Sequence, residues 1–201
     1  QAEGHAQLTV DASVFAQQLS YIQERGYTTI TLTQLATFFD TGTGLPNKPI
    51  ILTFDDGYGD FYTFAAPALS SRNMKAEFFV STGLVENPGY VTWDQIQQIK
   101  NLGISISHHT WSHANIASGD SSIFARELDT ASEQLTEHGY GPVRVFAYPY
   151  GSYSSRSIEA IQQRNFSIAV TTKPGRIQCK EQRFELPRIR VGNSSLSSYG
   201  L

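Results

Sequence analysis

The chain predicts an α/β protein, a parallel sheet with helices outside it. Three observations lead there. Strand-like and helix-like segments alternate along its 201 residues, and some of the strand segments are continuous apolar runs. Polar clusters follow directly after several strands. A continuous apolar run suits a strand buried on both faces, as in a parallel sheet covered by helices. The sheet is expected to be open or closed into a barrel, and in both cases sites form at the carboxyl ends of strands.

The elements read in order. Asp11 or Ser13 can cap a helix in which Phe15, Leu19 and Ile22 recur at helical spacing, ending before Gly26. A β-rich run from Thr28 to Leu32 follows, then a short helix around Leu35 to Phe39. The segment Thr41 to Lys48 holds Gly42, Gly44 and Pro46 and reads as a loop. Pro49 to Phe54 is one apolar strand. A helix near Phe61 to Ser71 leads to a second such strand, Ala76 to Ser81. Trp93 to Asn101 is helical, Ile104 to Ser107 a strand, Ile123 to Glu137 a helix and Val143 to Tyr148 a strand. Ser157 to Arg164 is a helix, and Ser167 to Thr171 and Leu186 to Val191 are the last strands. No repeat or linker divides the chain, so residues 1–201 are expected to form a single catalytic domain, readable also as a fragment of a longer protein.

Composition narrows the function. With 40% hydrophobic and 12% aromatic residues, the chain can bury one sizeable core. The net charge of −3 and the lack of like-charge runs argue against nucleic acid as a partner. The single cysteine, Cys179, excludes an internal disulfide and a multi-cysteine metal site. No apolar run approaches the roughly 18 residues of a membrane span. Because the sequence starts at Gln1, an upstream segment such as a signal peptide is expected to have preceded it.

Three clusters follow strands: Asp55-Asp56-Gly57, His108 to His113, and Pro149-Tyr150-Gly151. Within His109-Thr110-Trp111-Ser112-His113 two imidazoles stand at i and i+4, close enough to bind one ion, although an isolated pair of this kind is often just two surface histidines. Adjacent carboxylates leaving a core repel one another unless something positive compensates, and a divalent cation would do so. One Asp and two His would leave ligand positions open, and the other Asp would be free to take a proton from water.

Thr53-Phe54-Asp55-Asp56-Gly57 with His109-Thr110-Trp111-Ser112-His113 resembles the first two signature motifs of the polysaccharide deacetylases, carbohydrate esterase family 4. Phe146-Ala147-Tyr148-Pro149-Tyr150-Gly151 is similar to the third, Lys75 to Val80 and Val91-Thr92-Trp93 to intermediate stretches, and Leu8 to Tyr27 to the biofilm-polymer branch. The resemblance implies a distorted (β/α) barrel of about seven strands, a variant of the α/β barrel. It implies that Asp56, His109 and His113 hold a divalent metal, most often Zn2+ with Co2+, Ni2+ or Fe2+ as alternatives, and that Asp55 is the general base. By the same similarity the backbone N–H of Tyr150 meets the oxyanion and Thr110 orients His113 or a loop carbonyl. Tyr58, Trp111, Tyr148 and Tyr150 are candidates for binding sugar, with core packing as the alternative for Trp111.

Two departures stand out. Many members carry an arginine in the third motif that pairs with the base; Ala147 occupies that position here, and Arg188 is the candidate replacement. Members usually also have a late histidine that protonates the leaving amine, and no histidine follows His138. His138 reads as a helix end, His5 is the remaining candidate acid, and His108 is expected to pack beside the metal site. The implied substrate is an acetylated polysaccharide outside the cell, in the periplasm or at the cell surface, with a β-1,6-linked N-acetylglucosamine polymer favoured over chitin or peptidoglycan. An acetylxylan esterase and a non-catalytic, metal-containing carbohydrate-binding module are the competing readings.

Overall fold

The structure, a computed structural model, describes residues 9–201. Helix α1 (Ala12–Glu24) and strand β1 (Thr28–Thr29) come first. Helix α2 (Leu32–Thr41) follows, started by a reciprocal capping box between Thr31 and Gln34 and stopped at Gly42 (φ 74°). Strands β2 (Pro49–Ile50), β3 (Thr53–Phe54), β4 (Glu77–Val80), β5 (Ser105–His108), β6 (Val145–Ala147), β7 (Ile168–Pro174) and β8 (Leu186–Arg188) complete the strands. Between them lie α3 (Ala66–Ser70), α4 (Trp93–Asn101), α5 (Ser121–Phe124), α6 (Thr130–Glu137) and α7 (Ser155–Gln163).

Strands β3 to β8 form one six-stranded sheet in sequential order, and every pairing in it is parallel. Strands β1 and β2 pair separately. This is an α/β fold with a curled parallel half-barrel sheet. The expected single strand from Pro49 to Phe54 is instead two short ones, the first paired to β1 and the second to β4, and its residues are half-buried or exposed rather than fully enclosed. The expected strand from Thr28 stops at Thr29, because the capping box of Thr31 commits Leu32 to a helix.

Side-chain alternation sorts the core. Phe79, Val145, Ala147, Ile168, Val170 and Leu186 pack with Leu35, Ala36 and Phe39 of α2 in one cluster. Phe146, Ala169 and Tyr148 turn the other way, toward Leu128, Ala160 and Ile161 of the later helices. A third cluster joins Phe78 and Val80 to Leu19 of α1, Leu69 of α3 and Ile96 and Ile99 of α4. Among the described residues, β3 and β8 are the two ends of the six-stranded sheet and do not pair with each other. The gap between them is bridged by a side chain: Arg188 of β8 donates to Thr53 Oγ1 of β3 (3.0 Å).

Candidate active site

The three polar clusters meet at the carboxyl rim of the sheet. Asp55 and Asp56 directly follow β3. Asp56 takes φ 77° and Gly57 φ 86°, a left-handed pair that turns the chain sharply. At Gly57 an added Cβ would also meet Val80 of the neighbouring strand at 3.6 Å. The turn sends the two adjacent carboxylates to different partners.

Asp55 faces Arg188. The guanidinium donates from Nη1 to Asp55 Oδ1 (2.8 Å) and from Nη2 to Oδ2 (2.7 Å), the two-pronged geometry in which an arginine–carboxylate pair is strongest. Its Nε donates to the Thr171 carbonyl (2.8 Å), so the arginine is fixed from behind. Burial would raise the Asp55 carboxyl, but the charge and hydrogen bonds of Arg188 outweigh it and hold Asp55 below the usual carboxylate range. Position 147 is an alanine, and the arginine that faces Asp55 comes from the last strand.

Asp56 faces the imidazoles. Its Oδ1 lies 3.2 Å from His109 Nε2 and 3.1 Å from His113 Nε2. The three donor atoms fall within 4.8 Å of one another. Burial pushes the Asp56 carboxyl up, and the two imidazoles more than reverse this, holding it well below the ordinary range. His109 is buried, and its Nδ1 lies 2.8 Å from the Ala147 carbonyl, which can only accept, so Nδ1 carries a proton and the ring presents Nε2 to Asp56. This donor set suits a divalent ion: one carboxylate and two imidazoles converge on a point, with the second nitrogen of His109 already occupied.

Backbone strain concentrates here. Asp56, Thr110 (φ 67°), His113 (φ 60°) and Tyr150 (φ 61°) all occupy the left-handed region that non-glycine residues rarely adopt. The exposed ring of Tyr150 meets His113 edge-on at 4.7 Å. Tyr58 is also exposed and stacks on Tyr90 at 5.1 Å. Partial burial, and then the negative charge of Asp56, push the Tyr58 hydroxyl up to about 12.

Several expected residues sit elsewhere. Tyr148 is 1% exposed and belongs to the core, because alternation along β6 turns it outward with Phe146 while Val145 and Ala147 face the other way. It therefore presents no exposed ring face to a sugar. Thr110 Oγ1 is buried and has no hydrogen-bond partner among the described residues, so the hydroxyl does not orient His113; the backbone of Thr110 is what engages, donating to His108 Nδ1 (3.1 Å). Trp111 is half-buried against Gly83, where an added Cβ would fall 2.7 Å from Trp111 Nε1. His108 points away from the donor cluster, its Nε2 3.1 Å from the Leu128 carbonyl, and burial lowers it to about 4, a neutral imidazole. His138 is exposed and stacks on Trp93 at 3.8 Å. His5 lies outside the described residues. The Ala147 carbonyl carries no sequence signal, since any residue supplies one.

A parallel α/β sheet here carries an aspartate and two imidazoles at its carboxyl rim, a donor set that could hold a divalent ion. The chain belongs to the polysaccharide deacetylase family, carbohydrate esterase family 4: the family's sequence model matches residues 42–169. The chain is 24% identical, over 93% of its length, to a poly-β-1,6-N-acetyl-D-glucosamine N-deacetylase of Escherichia coli, but spans only 34% of that protein. It is 31% identical, over 59% of its length, to a peptidoglycan-N-acetylglucosamine deacetylase of Bacillus cereus, spanning 42% of it. In structure it is similar to the Streptococcus pyogenes deacetylase PplD, solved with acetate, at a TM-score of 0.88 and 26% identity, covering 94% of this chain and 87% of that one. No helix among the described residues is long and apolar enough to cross a membrane.

Proposed function

We propose that this chain is a divalent-metal-dependent N-deacetylase acting outside the cell, in the periplasm or at the cell surface, on an N-acetylglucosamine polymer, with the β-1,6 linkage favoured. The observation that supports it most is the division between the neighbouring carboxylates: Asp56 faces two imidazole nitrogens and Asp55 faces an arginine. The linkage rests on the substrate named for the Escherichia coli relative, with peptidoglycan kept open by the Bacillus cereus one.

Asp56, His109 and His113 would hold the ion, Zn2+ first and Co2+, Ni2+ or Fe2+ next, as suits a mixed oxygen and imidazole donor set. When bound, such an ion polarises a carbonyl and acidifies water. Asp55 is the base: it takes a proton from the water that attacks the acetyl carbon, and the C–N bond then breaks as the leaving amine takes up a proton. Arg188 keeps Asp55 ionised and aligned, so that its proton affinity is set by the arginine rather than by burial alone. By the family resemblance the Tyr150 N–H would meet the oxyanion; its left-handed backbone and its ring, edge-on to His113 at 4.7 Å, support this reading. The exposed rings of Tyr58 and Tyr150 offer apolar faces for sugar.

The test is acetate release from short β-1,6 and β-1,4 N-acetylglucosamine oligomers and from acetylated xylan, before and after chelation. Chelator-sensitive acetate from the β-1,6 oligomers is expected. No acetate from any substrate would sink the enzymatic reading, and preference for xylan would replace amide with ester hydrolysis.

A further inference from the structure

The two histidines of the donor cluster are held in different ways. His109 is anchored through its own ring, by the Ala147 carbonyl. His113 has no such anchor on its Nδ1 among the described residues, and it stands four residues further on, in a loop where both Thr110 and His113 are in the left-handed region. Something must hold that loop in a conformation its residues do not prefer.

The loop is gripped on two sides. On one, the backbone after β4 takes part: Ser81 Oγ donates to the His109 carbonyl (2.9 Å) and the Gly83 N–H to the Trp111 carbonyl (2.7 Å). On the other stands a single residue, Glu127, which is 0% exposed. Its Oε2 accepts the Ser112 N–H (2.9 Å) and its Oε1 accepts the Ser112 hydroxyl (2.9 Å). Its own carbonyl accepts the Trp111 N–H (2.9 Å). Three hydrogen bonds thus tie Glu127 to the two residues just before His113. The only cation on the carboxylate among the described residues is Arg126, itself mostly exposed, whose Nε donates to Oε1 (3.0 Å).

The helix is modified at this position. Residues Ala125–Asp129 form a π-helical turn between α5 and α6, and Glu127 is its central residue. Such a turn inserts a residue into a helix, rotates the side chains around it, and is found frequently at functional sites. Here it brings both the carbonyl and the carboxylate of one residue to the same loop. A fully buried carboxylate is costly unless its acceptors are filled, and here the filling donors belong to the histidine loop.

We infer that Glu127 is the positioning residue for His113, setting metal affinity through Ser112 without touching the ion or the substrate. This rests on the metal reading proposed above. The chemistry is that of an outer partner of a ligand, whose loss commonly lowers metal affinity about 10–100-fold.

The experiment is Co2+ binding to the whole chain, followed by the visible absorption of the bound ion and by chelator competition, at a temperature where circular dichroism shows every variant folded. Wild type is expected to bind one Co2+. Glu127→Ala is expected to bind about 10–100-fold more weakly and with an altered absorption envelope, Glu127→Gln to recover part of that loss, and Ser112→Ala to lose less than Glu127→Ala. A mere packing role would lower the melting temperature of the metal-free protein without moving affinity or spectrum. Should Glu127→Ala not fold, Glu127→Gln and Ser112→Ala decide. Folded variants with wild-type affinity and spectrum overturn the inference, while a wild type that binds no Co2+ overturns the metal reading itself.

Discussion

Two acidic regions lie on neighbouring strands, and they are built to opposite ends. At the rim after β3, Asp55 and Asp56 each face cationic or cation-binding groups. Inside the sheet, Glu77 of β4 stands opposite Thr53 in register and is 0% exposed. Among the described residues only neutral donors meet it: the Leu32 N–H at the start of α2 (2.8 Å) and the Ser107 hydroxyl (2.6 Å). Burial drives Glu77 upward, and its hydrogen bonds only partly offset this; at the rim the partners win and both aspartates are driven down. The lesson is that burial does not decide what a carboxylate can do. An acid meant to be charged is given cations, and an acid meant to accept hydrogen bonds is given N–H and O–H groups.

The comparison breaks first at Asp55. Asp55→Asn keeps shape and removes the proposed base, so kcat/KM for acetate release should fall about 10²–10⁴-fold while Co2+ still binds; near-wild-type turnover would show that another group takes the proton. Arg188→Ala comes next. Because Arg188 lowers Asp55, the wild-type base stays ionised into acidic solution, and its stabilising contribution is present above the unfolded carboxylate pKa and lost only as pH falls through the lowered value. Removing the arginine should move the acidic limb of the kcat/KM profile to higher pH, and it should cost about 1.5–3 kcal/mol of stability through the lost charged hydrogen bonds. An unmoved acidic limb would mean that Arg188 does not govern the base.

The smallest effect belongs to Glu77. Its pKa is raised, so its contribution to stability is greatest below the unfolded pKa and declines as pH rises toward the folded one. Glu77→Gln keeps an acceptor for Leu32 and cannot ionise, so the variant should lose that pH dependence, keep activity within about twofold and shift Tm by less than about 4 °C. A large loss of activity would place the charge of Glu77 inside the catalytic machinery and collapse the distinction between rim and interior.

The fold class was legible because alternating helix and strand signals and apolar runs are properties of the sequence itself. Boundaries were less so: the apolar run from Pro49 to Phe54 hides a change of pairing partner that composition does not record. The donor cluster was legible from spacing, strand-end placement and the family motif together, the motif alone choosing Asp56 over Asp55. Arg188 could be named only as a candidate, since its pairing with Asp55 joins residues 133 apart. Tyr148 was misplaced because a motif shared with a family does not say which face of a strand a ring takes. Glu127 did leave a trace: it shares a helical face with Phe124, Leu128 and Ala131, an acid among apolar neighbours, which points to a buried partner. The Ala147 carbonyl left none.

The side-chain bridge from β8 to β3 also has a consequence in time. The three candidate donors lie between residues 56 and 113, whereas the guanidinium that aligns Asp55 belongs to residue 188. A chain growing from its amino terminus therefore presents the three candidate donors well before it presents the arginine that pairs with Asp55. On the proposed reading, an incomplete chain would lack the guanidinium that aligns Asp55, and turnover would begin only when the last strand docks. Placing the arginine at the far edge of the sheet makes competence a report on completeness.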